Sequence, residues 1–177
     1  MKNIVLIGFM GTGKSSVGKL LAYRLGKSFI DIDRKIEKEF GITIPEIFAQ
    51  FGEESFREKE QAVVAKIARY KNVVIATGGG VVLNPRNMEL LRQKGIIVSL
   101  AANPDIILER TSRRPTRPLL QCESPRQVIE EMLAKRRHLY EQADIQIDTS
   151  QCTPYDVTEQ IIFYLRQGGH LDAQSIR

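Results

Sequence analysis

The segment Gly8-Phe9-Met10-Gly11-Thr12-Gly13-Lys14-Ser15 constrains this chain more than any other feature. It satisfies the pattern G-x-x-x-x-G-K-[ST]. The apolar run Ile4-Val5-Leu6-Ile7 precedes it, and Val17, Leu20, Leu21 and Leu25 recur after it at helical spacing. A strand that turns through glycines into a helix aims backbone N–H groups at an anion, on the positive end of the helix dipole. The pattern predicts nucleotide phosphates as the ligand, with Lys14 bridging the β- and γ-phosphates and Ser15 offering its hydroxyl to Mg²⁺. It leaves the reaction open, because switches, motors and small-molecule kinases all use such a loop. Two absences narrow the choice. The chain has no N-K-x-D or T-K-x-D segment of the sort that reads guanine, and the strand at 73–76 runs into three glycines where motor ATPases place an acid.

Short apolar runs alternate with helical patterns along the rest of the chain. Strands are expected at 4–7, 29–33, 73–76, 96–100 and 145–148. Thr43-Ile44-Pro45-Glu46 reads as a capping box opening a short helix that Gly52 closes, and 56–70 reads as a further helix. Helices are also expected after Pro85 and Pro104, from Ser124-Pro125 onward, and over 154–165; the tail from Gly168 lacks periodicity and should fray. This alternation predicts an α/β fold with a parallel sheet and helices on both faces. Ligands in such folds bind beyond the carboxyl ends of the strands. That rule directs attention to Gly8–Ser15, Asp31 and Asp33, Gly78–Gly80, and Asp148–Ser150.

Asp31 and Asp33, two apart on an expected strand, would share a face. One could hold Mg²⁺ and the other accept a proton from a substrate hydroxyl; a pair of solvated turn acids is the alternative. Gly78-Gly79-Gly80 suggests close approach of backbone to a ligand rather than a merely flexible turn. Arg136 falls in the row Val128, Met132, Arg136, Tyr140 of the helix after Pro125, and Arg57 falls near the Glu60–Val64–Ile67 face. An arginine on a buried stripe needs an anion. For Arg57 an internal pair with Glu60 or Glu58 competes with a bound carboxylate; for Arg136 a planar carboxylate is the better partner.

Composition excludes several classes. At 177 residues, one domain is expected. Cys122 and Cys152 make neither a disulfide framework nor a zinc site, no apolar run approaches a membrane span, and no secretory leader is evident. A cytoplasmic protein without membrane partners is the expectation. The net charge of +5 concentrates in Arg110, Arg113, Arg114 and Arg117, an anion footprint. That cluster lacks the interleaved aromatics with which nucleic-acid binders stack bases, so no nucleic-acid partner is expected. Nor does a long apolar surface pattern demand a partner chain, which favours a monomer.

Taken in order, these segments resemble the shikimate kinase family of small bacterial enzymes over roughly residues 3–166. The resemblance is carried by the phosphate loop, Asp31-Ile32-Asp33, Ile47-Phe48-Ala49, Gly52-Glu53, Phe56-Arg57, Gly78–Gly80, Arg117-Pro118-Leu119-Leu120, Lys135-Arg136, Leu139-Tyr140 and Asp148-Thr149. It implies a three-layer P-loop kinase fold with a five-stranded parallel sheet and a mobile lid. It also implies transfer of the γ-phosphoryl of ATP to the 3-hydroxyl of shikimate, within aromatic amino acid (chorismate) biosynthesis. The lid would cover about 112–123, and a substrate-binding helical region about 33–60. By the same resemblance Asp33, Lys14 and Arg117 are catalytic. Gly11, Thr12, Gly13, Lys14, Ser15, Ser16, Arg110 and Arg117 bind ATP, while Asp33, Arg57, Gly79 and Arg136 bind shikimate. Ser15 and Asp31 hold Mg²⁺. Phe48 and Phe56 would wall the pocket or serve as core, and the segment after Asp148 would border adenine. Arg113 and Arg114 receive no family role. A kinase for another carboxylated polyol, such as gluconate, and a nucleotide-dependent nucleic-acid-binding module are the alternatives.

Overall fold

A computed structural model describes residues 2–112 and 124–171. Five strands, β1 (Asn3–Ile7), β2 (Ser28–Asp31), β3 (Val73–Ala76), β4 (Gly95–Ala101) and β5 (Ile145–Asp148), form one sheet in the order β2-β3-β1-β4-β5. Every pairing is parallel, with Val5 of β1 set against Ile75 of β3 and Ile97 of β4. Seven helices accompany them among the described residues: α1 (Lys14–Arg24), α2 (Ile32–Phe40), α3 (Ile44–Ile67), α4 (Pro85–Lys94), α5 (Pro104–Ser112), α6 (Pro125–Tyr140) and α7 (Pro154–Gln167).

The unbroken apolar runs follow from burial on both sheet faces, as parallel strands require. Ile4 and Leu6 of β1 pack with Val17 and Leu21 of α1 and Val157 and Ile161 of α7. Val5 and Ile7 point the other way, into a core with Ile36, Val64, Leu91, Ile107 and Ile129 of α2 to α6. The sheet therefore lies between two helical layers. Central β1 is wholly buried, and the chain passes from β1 out to β2, back to β3, then across to β4. The crevice at that reversal, above β1, is the place such sheets offer a ligand.

Several local expectations change. The second strand ends at Asp31, and Asp33 lies in the first turn of α2, a helix the periodicity had not separated. The cause is capping: Asp31 is extended (φ −109°) and its Oδ1 accepts the Arg34 N–H at 3.3 Å, starting the helix there. Asp31 and Asp33 thus do not share a strand face. At α3 the capping box forms, Glu46 accepting the Thr43 N–H and hydroxyl at 2.8 and 2.7 Å. Gly52 (φ +77°, ψ 172°) leaves the helical conformation inside α3 and breaks it there into two helical stretches, as expected. A 3₁₀ turn at Val81–Leu83, also unforeseen, follows the glycines. Arg136 is half-buried rather than on a fully buried stripe, while Ile129 and Tyr140 of α6 are buried. Instead of fraying at once after α7, the chain turns back: His170 N–H bonds to Leu165 O at 2.8 Å and Leu171 is buried. Of the expected lid, the segment with Arg113, Arg114, Arg117 and Cys122 lies outside the described residues, as do residues 172–177. No described helix is long and apolar enough to cross a membrane.

Candidate active site

The phosphate loop is shaped by backbone that only glycine tolerates. Gly8 has φ +138°, and a Cβ there would lie 2.2 Å from Leu100 O, so β4 presses directly on the loop's first residue. Thr12 closes the turn, its hydroxyl donating to Phe9 O at 2.8 Å. Gly13, in the left-handed region, precedes α1 without a side-chain cap, leaving the helix N-terminus open to an anion. Lys14 is buried and donates through Nζ to Gly8 O and Phe9 O, both at 2.8 Å. Its charge is thereby held inside the loop it serves. Around the loop lies a cavity of about 360 Å³, lined among others by Gly11 to Ser16, Asp31, Asp33, Gly79 and Arg110.

Ser15 donates its hydroxyl to Asp31 Oδ2 at 2.6 Å, so the two proposed metal-holding groups already meet. Both are hard oxygen donors, the kind Mg²⁺ selects. Among the described residues no group of three or more His, Cys, Asp or Glu could hold a metal by itself. The oxygen donors of Ser15 and Asp31 fit Mg²⁺.

Beyond the loop, acids and arginines gather at the glycine turn. A Cβ on Gly78 would lie 2.5 Å from Asp33 Oδ1 and 3.1 Å from Glu60 Oε1, and one on Gly80 would lie 2.5 Å from both terminal nitrogens of Arg57. The turn is therefore glycine-rich because side chains from α2 and α3 press on it. Arg57 pairs with Glu60 and Glu53, each at 2.9 Å, rather than with Glu58. Burial works against its charge, but Glu60 and Glu53 outweigh it and hold its pKa above the ordinary value. The Glu60 side chain is 1% exposed, and its Oε1 has no hydrogen-bond partner among the described residues. Burial pushes its carboxyl up, Arg57 opposes this, and Asp33 and Glu53 add to the rise. From α6, Arg136 donates to Gly79 O at 3.4 Å and stands 6.0 Å from the Phe9 ring centroid. Phe48 and Phe56 pack at 4.9 Å between centroids.

Arg110 is tied to the phosphate-loop side of the cavity. It donates to Thr149 Oγ1 at 3.0 Å and Thr149 O at 2.8 Å, and more weakly to Gly11 O at 3.4 Å. The buried Thr149 hydroxyl also lies 3.0 Å from Ala101 O and 3.2 Å from Thr12 O. The loop after β5 is thus linked to the phosphate loop, and Cys152 and Pro154 border the same cavity.

Asp31, Asp33, Gly79, Arg110 and the loop residues, scattered in sequence, therefore meet at one cavity; Arg57 and Arg136 meet instead at the adjacent glycine turn. The sequence assigns Glu60, Thr77 and Tyr140 no site role, and places Thr149 only within the segment Asp148–Ser150 at the end of a strand. Glu60 had a usable signal, a charge on the apolar stripe of α3. Thr77, whose hydroxyl bonds Leu6 O at 3.0 Å, had none.

A lysine and a helix N-terminus facing a cavity with a serine–aspartate pair, beside a glycine turn where acids and arginines gather, define a P-loop kinase of a small molecule. This fold, with its β2-β3-β1-β4-β5 sheet, belongs to that class. The chain is a member of the shikimate kinase family, which phosphorylates shikimate with ATP in aromatic biosynthesis; the family's model, described as shikimate kinase, matches residues 10–166. It is similar to the shikimate kinase of Thermodesulfovibrio yellowstonii, with 54% identity across 92% of this chain and 94% of that one. The shikimate kinase of Caldanaerobacter subterraneus is 51% identical, covering 92% and 95%. Among solved structures, a shikimate kinase from Acinetobacter baumannii in complex with shikimate aligns at a TM-score of 0.92 and 40% identity, over 95% of this chain and 94% of that one.

Proposed function

We infer that this protein transfers the γ-phosphoryl group of ATP to the 3-hydroxyl of shikimate, giving shikimate 3-phosphate and ADP. One observation carries the residue assignments: Asp33 lines the cavity of the phosphate loop and presses on the glycine turn that Arg57 and Arg136 also touch. A hydroxyl at Asp33 and a carboxylate at the arginines fit one small acceptor.

Gly11, Thr12, Gly13, Lys14, Ser15 and Ser16 cradle the phosphates, with backbone N–H groups and the α1 dipole supporting their charge. Lys14 exchanges its loop carbonyls for the β- and γ-phosphates. Arg110, braced by Thr149, lies along the nucleotide. Arg57 and Arg136 fork the shikimate carboxylate, and Gly79 contacts the ring through its backbone. Asp33 orients the 3-hydroxyl and takes its proton as the oxygen forms a bond to the γ-phosphorus. The bond from that phosphorus to the β–γ bridging oxygen breaks, and ADP departs with the electron pair. Arg117 is assigned by family pattern to the transferring phosphoryl. Ser15 and Asp31 would hold Mg²⁺, which would neutralise phosphate charge. Positioning and charge neutralisation supply the catalysis.

The test is ADP production by the purified protein with Mg-ATP and a panel of shikimate, quinate and gluconate. Shikimate-dependent turnover is expected; preference for gluconate or quinate refutes the acceptor. Asp33→Asn is expected to lower kcat about 100-fold or more while ATP still binds. Unchanged turnover removes Asp33 from the mechanism.

A further inference from the structure

We propose that Tyr140 is a positioning residue for the acceptor site, acting through its hydroxyl on the Gly79 carbonyl and on Arg136. The inference rests on the assignment of Gly79 and Arg136 to shikimate made above.

Tyr140 ends α6 and is buried, and its Oη donates to Gly79 O at 2.7 Å. Arg136 reaches the same oxygen at 3.4 Å, so the phenol supplies the shorter of the two bonds. Residues four apart share a helix face, and here both partners converge on one carbonyl. Burial raises the Tyr140 pKa, with Arg136 opposing, so the group works as a neutral O–H donor. Gly79 also touches the phosphate loop, where a Cβ would come within 3.3 Å of Met10 N and 3.6 Å of Gly8 O. The glycine turn is thereby tied to α6 and rests on the loop that holds ATP.

The geometry explains why the hydroxyl matters beyond its ring. No described peptide is cis, and a planar trans peptide sends the N–H of Gly80 opposite to the carbonyl of Gly79. Drawing that carbonyl to Tyr140 orients the whole 79–80 peptide beside Arg57, which packs on Gly80. Without the phenol hydroxyl, the carbonyl keeps, among the described residues, the 3.4 Å contact from Arg136, which then has to hold that oxygen alone. The backbone and guanidinium that meet the acceptor then need ordering at each binding event, which weakens binding.

Tyr140→Phe in the full chain keeps the ring and removes the donor. The expected result is a shikimate KM raised about tenfold, with the ATP KM within about twofold of wild type. The thermal midpoint should fall by only about 5 °C or less. Because part of the effect passes through Arg136, the penalties of Tyr140→Phe and Arg136→Ala on shikimate KM should combine less than additively. An unchanged shikimate KM, or strict additivity, overturns the role. So does a collapse of the thermal midpoint with both KM values rising together, which would mark Tyr140 as packing alone. Those outcomes in an enzyme whose wild type turns over shikimate refute the positioning role only; absence of wild-type turnover refutes both it and the functional reading beneath it.

Discussion

Gly80→Ala separates the acceptor site from the fold with one methyl group. Gly80 has φ −99° and ψ 0°, a conformation alanine adopts without strain. Its new Cβ would lie 2.5 Å from Arg57 Nη1 and Nη2 and 2.8 Å from Cζ, and the three nearest atoms all belong to that guanidinium. A real contact needs about 3.5 Å or more, so the guanidinium must retreat by about 1 Å. The backbone need not follow, because the obstacle is the end of a flexible side chain. Retreat stretches the 2.9 Å bond from Arg57 Nη1 to Glu60 Oε2, leaving a buried carboxylate poorly paired. Losing a hydrogen bond to a charged group costs about 1.5–3 kcal/mol. If the same displacement removes one arm of the carboxylate fork, shikimate KM rises about 10- to 100-fold. The ATP KM should hold, since the partners of Arg57 are Glu53 and Glu60 of its own helix and the Gly80 backbone it packs on, none of them in the phosphate loop. Initial-rate kinetics with each substrate varied in turn, alongside a thermal melt, reads both effects. A shikimate KM within twofold of wild type would refute the reasoning, and so would an equal rise in the ATP KM.

Two further perturbations probe the nucleotide side and the buried acid. Thr149→Val keeps the shape of a 2% exposed side chain but removes the oxygen that bonds Arg110. The ATP KM should rise about three- to tenfold with shikimate KM unchanged, and equal changes in both would count against Thr149 as a brace. Glu60 supplies a pH prediction. Its folded pKa is raised, mainly by burial, so the stabilisation linked to it is present below the ordinary carboxylate value and is lost as pH rises through the folded value. The stability of wild type minus that of Glu60→Gln should therefore fall across that window and level off above it. Urea unfolding from about pH 4 to pH 8 measures the difference; growth with pH contradicts the burial argument.

Legibility in the sequence followed the range of the interactions involved. The phosphate loop was readable because its requirements are local: glycines for turns, a lysine one residue past the last of them, a helix beginning there. The capping box at Thr43 and Glu46 was readable for the same reason. The Asp31–Asp33 pair reads as a strand face because of the apolar run before it, yet the N-cap function of Asp31, also local, ends the strand there and puts Asp33 in a helix. For Arg57 the sequence offers Glu60, Glu58 or a bound carboxylate; Glu53, one helical turn back, is the partner it does not single out. Only the rotation of α3 against the sheet buries Glu60 and turns Glu58 outward.

By itself, then, the sequence determined the α/β alternation, the anion-binding turn and the residue types available to a carboxylated acceptor. Each of these depends on spacing of a few residues, where covalent geometry and backbone hydrogen bonding leave little choice. Tertiary structure decided which of those residues meet. Asp33 from α2, Arg57 and Glu60 from α3 and Arg136 and Tyr140 from α6 converge on one glycine turn only because the sheet order places β3 beside β1 and stacks those helices on a single face. Contacts across such sequence distances depend on packing of the whole core, which no local pattern records. The clamp of Tyr140 on the Gly79 carbonyl belongs to that second kind: 61 residues separate the partners, and only the packed core brings them to 2.7 Å.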